Sequence, residues 1–308
     1  MSKRILRSVL PLGVSLLLVY LLFQSLDFDQ IRDTFLNIKL PYLILASLAM
    51  VIYFLSGAIR FSLLLSPRIN LSLPDSIRLN FSLLLMTYAL GPLSEGIRVI
   101  YLTRKFSVHW KTAIAAHFSD RLLSIWILFL MLVLLAPFAF RSQISFIILT
   151  VIFLGLGLSY LISRTRFWPS WINETLVFFH SSLSSKRGFL LQSMFGIFGM
   201  IGSATAIWLL SLSLGLTLNY SVALALAPIT ILASVIPFTY SGLGSREAIL
   251  AFFLPMVSSV TKEQAVVLSL AVGLCYFLAC LPFIVSIPKL IKDNAAANTQ
   301  GNHKPAIK

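Results

Sequence analysis

The chain has 308 residues, of which 58% are hydrophobic and 11% are charged, and its mean hydropathy is +0.93. A soluble domain keeps about a quarter of its residues charged, so this composition excludes a soluble catalytic domain and indicates a protein solvated by lipid. The net charge of +14 does not indicate nucleic-acid binding, because most basic residues lie between apolar blocks, as the positive-inside rule requires.

The apolar residues form blocks of roughly 20 residues or more, the length at which a helix crosses about 30 Å of hydrocarbon. Backbone groups have no water partners there, so a spanning segment must be a helix or part of a closed barrel. A barrel would show short alternating segments in place of continuous apolar runs. The sequence therefore predicts an all-α polytopic membrane protein, with blocks at 5–26, 40–65, 75–103, 112–140, 143–163, 188–214, 219–257 and 263–290.

The segments around these blocks complete the predicted organisation. The first block follows basic residues, as in a signal peptide, but it is long and no small-residue cleavage pattern follows, so we interpret it as a retained span. Residues 167–187 are too polar to span, and Trp168 and Trp171 indicate an interfacial segment. We predict a transmembrane domain at 1–290 and a disordered polar cytoplasmic tail at 291–308.

The third and seventh blocks are interrupted. Gly91 and Pro92 break the third, and Pro237, with Gly242 and Gly244 after it, breaks the seventh. Basic residues on either side of the third block lie on one side of the membrane only if that block enters and leaves on the same side. We therefore predict six full spans and two re-entrant or broken-helix hairpins, with both termini in the cytoplasm. The alternative for the seventh block is two full spans, which leaves the sidedness of the following residues unchanged.

The two predicted hairpins resemble each other in sequence. Residues 93–97 read LSEGI and residues 243–249 read LGSREAI, and each run follows a proline or glycine break and opens a helix. One hairpin would enter from each side, which is the arrangement of an inverted-topology repeat. The alternative is two unrelated helices kinked by glycine and proline.

Ionisable residues inside apolar blocks cost about 2.5–3.5 kcal/mol each on insertion scales, so they normally face a partner or a cavity. Glu95 and Arg98 are three residues apart on a helix and can pair directly. Arg246 and Glu247 are adjacent, so we expect that they cannot face each other and that each finds its partner on another helix.

Five further polar residues accompany these. Asp120 and Arg121 lie near the start of the fourth block, and His117 and Ser124 complete a polar stripe there. His117 is expected to form a hydrogen bond with Asp120 rather than to bind a metal ion. Arg60 lies near the inner end of the second block and is expected to extend to the headgroups.

The functional interpretation is an anion site where the two hairpin tips meet, built from helix N-termini and arginines. The alternative is a structural ion-pair network that fixes the hairpins. No catalytic residue, metal site or cofactor motif is predicted, since no Walker loop, dinucleotide fingerprint or nucleophile elbow occurs. The candidate headgroup-binding residues are Glu95, Arg98, Asp120, Arg121, Tyr240, Arg246 and Glu247.

Two stretches carry a family resemblance. SVIPFTYSGLGSREAIL at 234–250 and LGPLSEGIRVIYLTRKFSVHWKTAIAAHFSDRLLSI at 90–125 resemble the two hallmarks of the lysylphosphatidylglycerol synthase transmembrane-region, or flippase-like, family. The resemblance extends from residue 5 to about 290. The Glu-Gly order at 95–96 departs from the usual Gly-Glu, and Asp120 stands where Glu is commoner.

The resemblance implies a flippase-type module in a bacterial inner membrane, expected as a stand-alone member without the synthase domain and therefore not a lysyltransferase. It predicts lipid transport in the cell envelope, with a phospholipid or a polyprenyl-phosphate lipid as partner. One alternative is a non-catalytic scaffold for a lipid-linked glycosyltransferase or lipid-modifying enzyme. Another is an intramembrane transferase. The sequence names neither the lipid nor the oligomeric state.

Overall fold

The computed structural model describes residues 13–17, 19–22, 24, 26–66, 69, 71–90, 94–140, 143, 145, 149–150, 175, 177–178, 185–234 and 242–288. Every regular element in this part of the chain is a helix, which confirms the all-α prediction. In chain order these are α1 Phe28–Leu36, α2 Leu40–Leu65, α3 Leu73–Leu90, α4 Ser94–Lys105, α5 Trp110–Ala139, α6 Lys186–Ser213, α7 Tyr220–Ser234, α8 Ser245–Val257 and α9 Lys262–Cys280, with a 3₁₀ segment at Leu281–Ser286.

Four helices are long and apolar enough to cross a membrane: α2, α5, α6, and α9 with its 3₁₀ extension, Lys262–Ser286. At 1.5 Å per residue, the 26 residues of α2 measure about 39 Å, which exceeds the hydrocarbon thickness of about 30 Å. These helices confirm four of the six predicted full spans.

Several predictions fall on residues outside the described ranges. These are half of the first block, most of the span at 143–163, most of the interfacial segment at 167–187, the tail at 291–308, the break residues Gly91, Pro92 and Pro237, and the candidate headgroup-binding residue Tyr240.

The third block consists of two helices that contact each other, α3 and α4. Their 18 and 12 residues give lengths of about 27 and 18 Å, so each falls short of a full span. Asp75, in the first turn of α3, lies 2.9 Å from the Nζ of Lys105, the last residue of α4. The start and the end of the pair are therefore adjacent, which is the geometry of the predicted hairpin.

The seventh block also consists of two short helices in contact, α7 and α8. The turn before α8 contains Gly242 and Gly244 with φ of +78° and +87°, a backbone region that other residues rarely adopt. The α8 helix begins at Ser245, whose Oγ donates to the carbonyl of Ala233 in α7 at 2.8 Å. This block is therefore a second hairpin.

Both hairpins share a serine at the start of the second helix. Ser94 Oγ shares a hydrogen bond of 2.7 Å with Thr87 of α3, as Ser245 bonds back to α7. This common feature supports the predicted similarity of the two hairpins, whose opposite orientation in a membrane stays a prediction.

The chain divides into two compact units. The first, here the Arg98 unit, comprises Phe54–Ser124, Thr165–Gly196 and Cys280–Lys308. Its apolar cluster is formed by α2, α3, α4 and α5 around residues such as Phe61, Leu79, Tyr101 and Leu102. Phe81 of α3 stacks on Phe283 of the 3₁₀ segment, with ring centroids 4.2 Å apart.

The second unit, here the Arg246 unit, comprises Met1–Tyr53, Ile125–Arg164 and Ile197–Ala279. One of its apolar clusters joins α5 to α7, and another joins α8 to α9. Gly202 of α6 lies against the backbone of α2, because a Cβ at this position would be 3.0 Å from the Ala49 carbonyl oxygen. A small residue at this position therefore allows the two helices to approach closely.

We expect Gly242→Ala to destabilise the protein by more than about 2 kcal/mol, because φ is positive and the added Cβ would lie 2.7 Å from the Ser234 Cα. Gly215→Ala is the matched control, since its φ is +70° but nothing lies within 4 Å of the new atom. Thermal unfolding in detergent micelles measures both. Equal losses would contradict a role for the close approach at Gly242.

The Asp75–Lys105 bridge lies outside the four candidate spans and gives stability a defined pH dependence. Burial raises the pKa of Asp75, but hydrogen bonds from Lys105 and Ser72 outweigh it and lower the pKa below its ordinary 3.8. Burial lowers the pKa of Lys105, but hydrogen bonds to Tyr101 and Asp75 raise it above its ordinary 10.5. The stabilisation is thus lost as pH falls through the lowered pKa or rises through the raised one.

We therefore expect Lys105→Met to cost about 1 kcal/mol of unfolding free energy at neutral pH, with the cost shrinking below about pH 4 and again in strong alkali. Chemical unfolding of the two proteins between pH 3 and pH 8 measures the acid branch. Lys262→Met, which removes an exposed lysine, controls for net charge. A cost that stays constant down to pH 3 would contradict the bridge.

Candidate functional site

A buried aspartate shared by two arginines lies at the centre of the Arg98 unit. Asp120 of α5 accepts from the Nη2 and Nε of Arg60 at 2.9 and 3.2 Å, both on Oδ1. Its other oxygen, Oδ2, accepts from Arg98 Nη1 at 3.3 Å. The exposed fractions of Arg60, Arg98 and Asp120 are 8%, 6% and 6%. We call these three residues the inner triad.

Neutral groups hold the two arginines in place. Ser124, one turn after Asp120, accepts from Arg60 Nη2 at 2.6 Å. Asn80 of α3 accepts from Arg98 Nη2 at 3.1 Å and donates to the Phe54 carbonyl at 3.0 Å. The Arg98 guanidinium also lies 4.7 Å from the centre of the Phe61 ring, within cation–π range.

The inner triad has a net positive charge of one. Two guanidinium groups face one carboxylate, and Arg98 Nε is buried without a hydrogen-bond partner in the described part of the chain. An unmatched buried charge is costly, so the cluster is chemically suited to receive an anion. Guanidinium N–H groups bind phosphate and carboxylate oxygens with two parallel bonds, which favours such a ligand.

A second, more exposed cluster lies beside the triad in the same unit. Arg121 of α5 donates to Glu95 of α4, and His117 Nε2 lies 3.5 Å from the other Glu95 oxygen. The side chains of Glu95 and Arg121 are 35% and 36% exposed, so water screens this pair. We call these three residues the outer cluster.

In the Arg246 unit the charges form a closed network. Glu247 folds back over the first turn of α8, and its Oε2 accepts from the Gly244 backbone N–H at 2.6 Å. Its Oε1 accepts from Arg246 Nη2 at 3.1 Å and from Ser269 Oγ at 2.9 Å. Arg246 Nε donates to the same serine at 3.0 Å. Cation and carboxylate are matched one to one.

A glycine provides the space for the Arg246 side chain. A Cβ on Gly273 of α9 would lie 2.7 Å from Arg246 Nη2, so a larger residue there would displace the guanidinium. The guanidinium also lies 5.9 Å from the centre of the Tyr276 ring. Both contacts come from α9, as does Ser269, so this helix determines where Arg246 lies.

Two predicted pairings are wrong. Arg246 and Glu247 do contact each other, because the arginine chain is long and the glutamate turns back to cap its own helix; Ser269 nevertheless supplies the expected partner on another helix. Glu95 pairs with Arg121 rather than with Arg98, which instead reaches Asp120 and Asn80. Helical spacing permits a pair but does not select it over partners on a packed neighbour.

Two single-residue predictions are also wrong. Arg60 does not extend to the headgroups but is buried against Asp120, since an available carboxylate competes with the interface for the guanidinium. His117 faces Glu95 and not Asp120, whose two oxygens already accept from arginines.

Sequence reasoning missed Asn80 and Ser269 as site residues. Each is a polar residue inside an apolar block, and that is the signal that could have indicated them. Among the predicted site residues, Gly242 and Gly244 form the turn before α8, whereas Tyr240 and the proline breaks lie outside the described ranges. In the described part of the chain, no group of three or more His, Cys, Asp or Glu side chains could hold a metal ion.

The long apolar helices and the buried charges define a multi-pass α-helical membrane protein. The chain belongs to the family described as the lysylphosphatidylglycerol synthase TM region, whose model matches residues 8–283. This match confirms the resemblance found in the two charged stretches. No match was found among curated proteins.

Glu247→Gln should destabilise the protein by about 3–5 kcal/mol, because it leaves the buried Arg246 without its carboxylate. The double variant Arg246→Met/Glu247→Met removes both charges and should recover most of that loss. Unfolding free energies in detergent for the two variants make the comparison. A double variant no more stable than the single one would contradict the paired-charge explanation.

Proposed function

We propose that this protein binds the anionic headgroup of a lipid or lipid carrier at Arg98 and moves it between the leaflets of the bacterial inner membrane. Membership of a lipid-associated membrane family supports a lipid-related role. The observation that carries the proposal is the unmatched positive charge of the inner triad, which is buried within a membrane protein.

The charge has a direct chemical consequence. A buried guanidinium without its own carboxylate is stabilised when an anion supplies the missing negative charge. The site therefore has a lower electrostatic energy with an anionic headgroup bound than without one. Arg98 is held by one bond of 3.3 Å to Asp120 and one of 3.1 Å to Asn80, and its Nε makes none among the described residues. It therefore retains donors for a ligand.

The hairpins provide the second argument for movement. Both consist of helices too short to cross the hydrocarbon alone, and broken helices of this kind line substrate sites in transporters. We propose that the first hairpin presents Arg98 to the headgroup. We assign to Arg246 and Glu247 a later contact, because their charges are already matched and must be released before they can bind.

The sequence contains no nucleotide-binding loop, so we propose movement that is downhill or coupled to an ion. We assign proton carrying to Glu95, because its side chain is partly exposed and His117 lies 3.5 Å from one of its oxygens. We propose no catalytic role for any residue.

A scaffold for a lipid-modifying enzyme is the second candidate, and the closed Arg246 network favours it. Matched charges that are bonded to each other make a rigid element as readily as a transport path. A scaffold would move no lipid by itself and would co-purify with its enzyme partner.

The test is a leaflet-resolved assay in proteoliposomes with fluorescent phosphatidylglycerol and a fluorescent polyprenyl phosphate. We expect Arg98→Gln to slow movement of the transported probe about tenfold or more, because the buried site loses its unmatched cation. Arg32→Gln, which removes an exposed arginine from α1, is the matched control and should leave the rate unchanged. Equal rates for wild type and folded Arg98→Gln would contradict the proposal.

A further inference from the structure

We infer that the inner triad is matched to a headgroup with a single negative charge, a phosphodiester, and discriminates against a diphosphate. This inference rests on the proposed function and specifies the substrate class of the same site. It follows from the charges and bonds of Arg60, Arg98 and Asp120.

The charge of the triad is well defined. All three residues are more than nine-tenths buried, and among the described residues the hydrogen bonds and ion pairs of their charged groups are made with one another or with Asn80 and Ser124. Neither Asn80 nor Ser124 carries a charge. Two cations and one anion therefore leave a net charge of one.

The two arginines have different roles. Arg60 places two donors on a single Asp120 oxygen and a third bond on Ser124, so it is the cation that compensates the carboxylate. Arg98 makes the longer contact of 3.3 Å and has a buried Nε without a partner in the described ranges. Arg98 is thus the surplus cation that would touch a ligand, whereas Arg60 and Asn80 are positioning residues.

The surplus of one charge selects among lipid headgroups. A phosphodiester brings one negative charge and leaves the site neutral. A phosphomonoester carries about −1.5 to −2 at neutral pH, and a diphosphate carries at least as much, so either leaves excess negative charge in the buried site. Uncompensated buried charge is strongly unfavourable whichever sign it has, so affinity should fall along this series.

A lipid series with identical acyl chains tests the inference. The full chain in detergent is titrated with phosphatidylglycerol, phosphatidic acid and diacylglycerol diphosphate, and binding is followed by native mass spectrometry. We expect phosphatidylglycerol to bind about tenfold or more tightly than the diphosphate, with phosphatidic acid between them. A wild-type protein that binds the diphosphate as tightly as phosphatidylglycerol overturns the inference.

Charge variants give an independent readout. Asp120→Asn raises the charge of the triad by one and should shift the preference towards the diphosphate, whereas Arg60→Gln removes the surplus and should weaken both lipids. Asp33→Asn, which removes the charge of an exposed aspartate in α1, is the matched control and should keep the wild-type preference. An unchanged preference in folded Asp120→Asn overturns the inference; if that variant does not fold, the wild-type series and Arg60→Gln decide.

Competition with soluble ions separates the headgroup from the tails. Displacement of phosphatidylglycerol by dimethyl phosphate, and not by inorganic diphosphate at the same concentration, supports recognition of the phosphodiester itself. Stronger displacement by diphosphate overturns the inference. The two proposals fail separately: selective binding without leaflet movement contradicts transport, and Arg98-dependent movement with a diphosphate preference contradicts the charge match.

Discussion

The sharing of Asp120 between two arginines is the interaction on which the Arg98 unit depends. An ionised carboxylate inside an apolar environment must be matched, and in this unit the matching cations come from α2 and α4 while the carboxylate comes from α5. The carboxylate thus fixes three helices relative to one another. Because two cations converge on one carboxylate, the same interaction that organises the unit also leaves one positive charge unmatched.

The two hairpins solve one structural problem in chemically different ways. Each begins its second helix with a serine bonded to the first helix. Ser245 bonds the Ala233 carbonyl near the end of α7, whereas Ser94 bonds the hydroxyl of Thr87. The second hairpin then closes its charges locally, with Glu247 capping its own helix and holding Arg246. In the first hairpin, Glu95 belongs to the outer cluster and Arg98 belongs to the inner triad. A similar sequence therefore supports one neutral site and one site with surplus charge.

Small residues determine where these charged side chains can lie. Gly273 leaves the space that Arg246 occupies, and Gly242 allows the turn to approach Ser234 of α7. Gly202 brings α6 against the backbone of α2 within the Arg246 unit. In lipid, helices associate through close packing and buried polar contacts rather than through the hydrophobic effect, so such positions contribute to the site although they carry no functional group.

The sequence by itself determined that lipid surrounds the chain, that the fold is all-α, and where the spans lie within the described ranges. It also determined that the third and seventh apolar blocks are interrupted. A bilayer requires apolar segments of a defined length whose backbone hydrogen bonds are made within the segment. Both requirements can be recognised directly in the amino-acid sequence. It also identified Arg98, Asp120 and Arg246, since charged residues in apolar blocks are conspicuous. Only the tertiary structure decided which charged residues pair with each other. It also placed Arg60, Asn80 and Ser269 in the charged networks. The physical reason is reach: a long side chain can contact several neighbouring helices, and the packing of those helices, which no local spacing specifies, selects the partner.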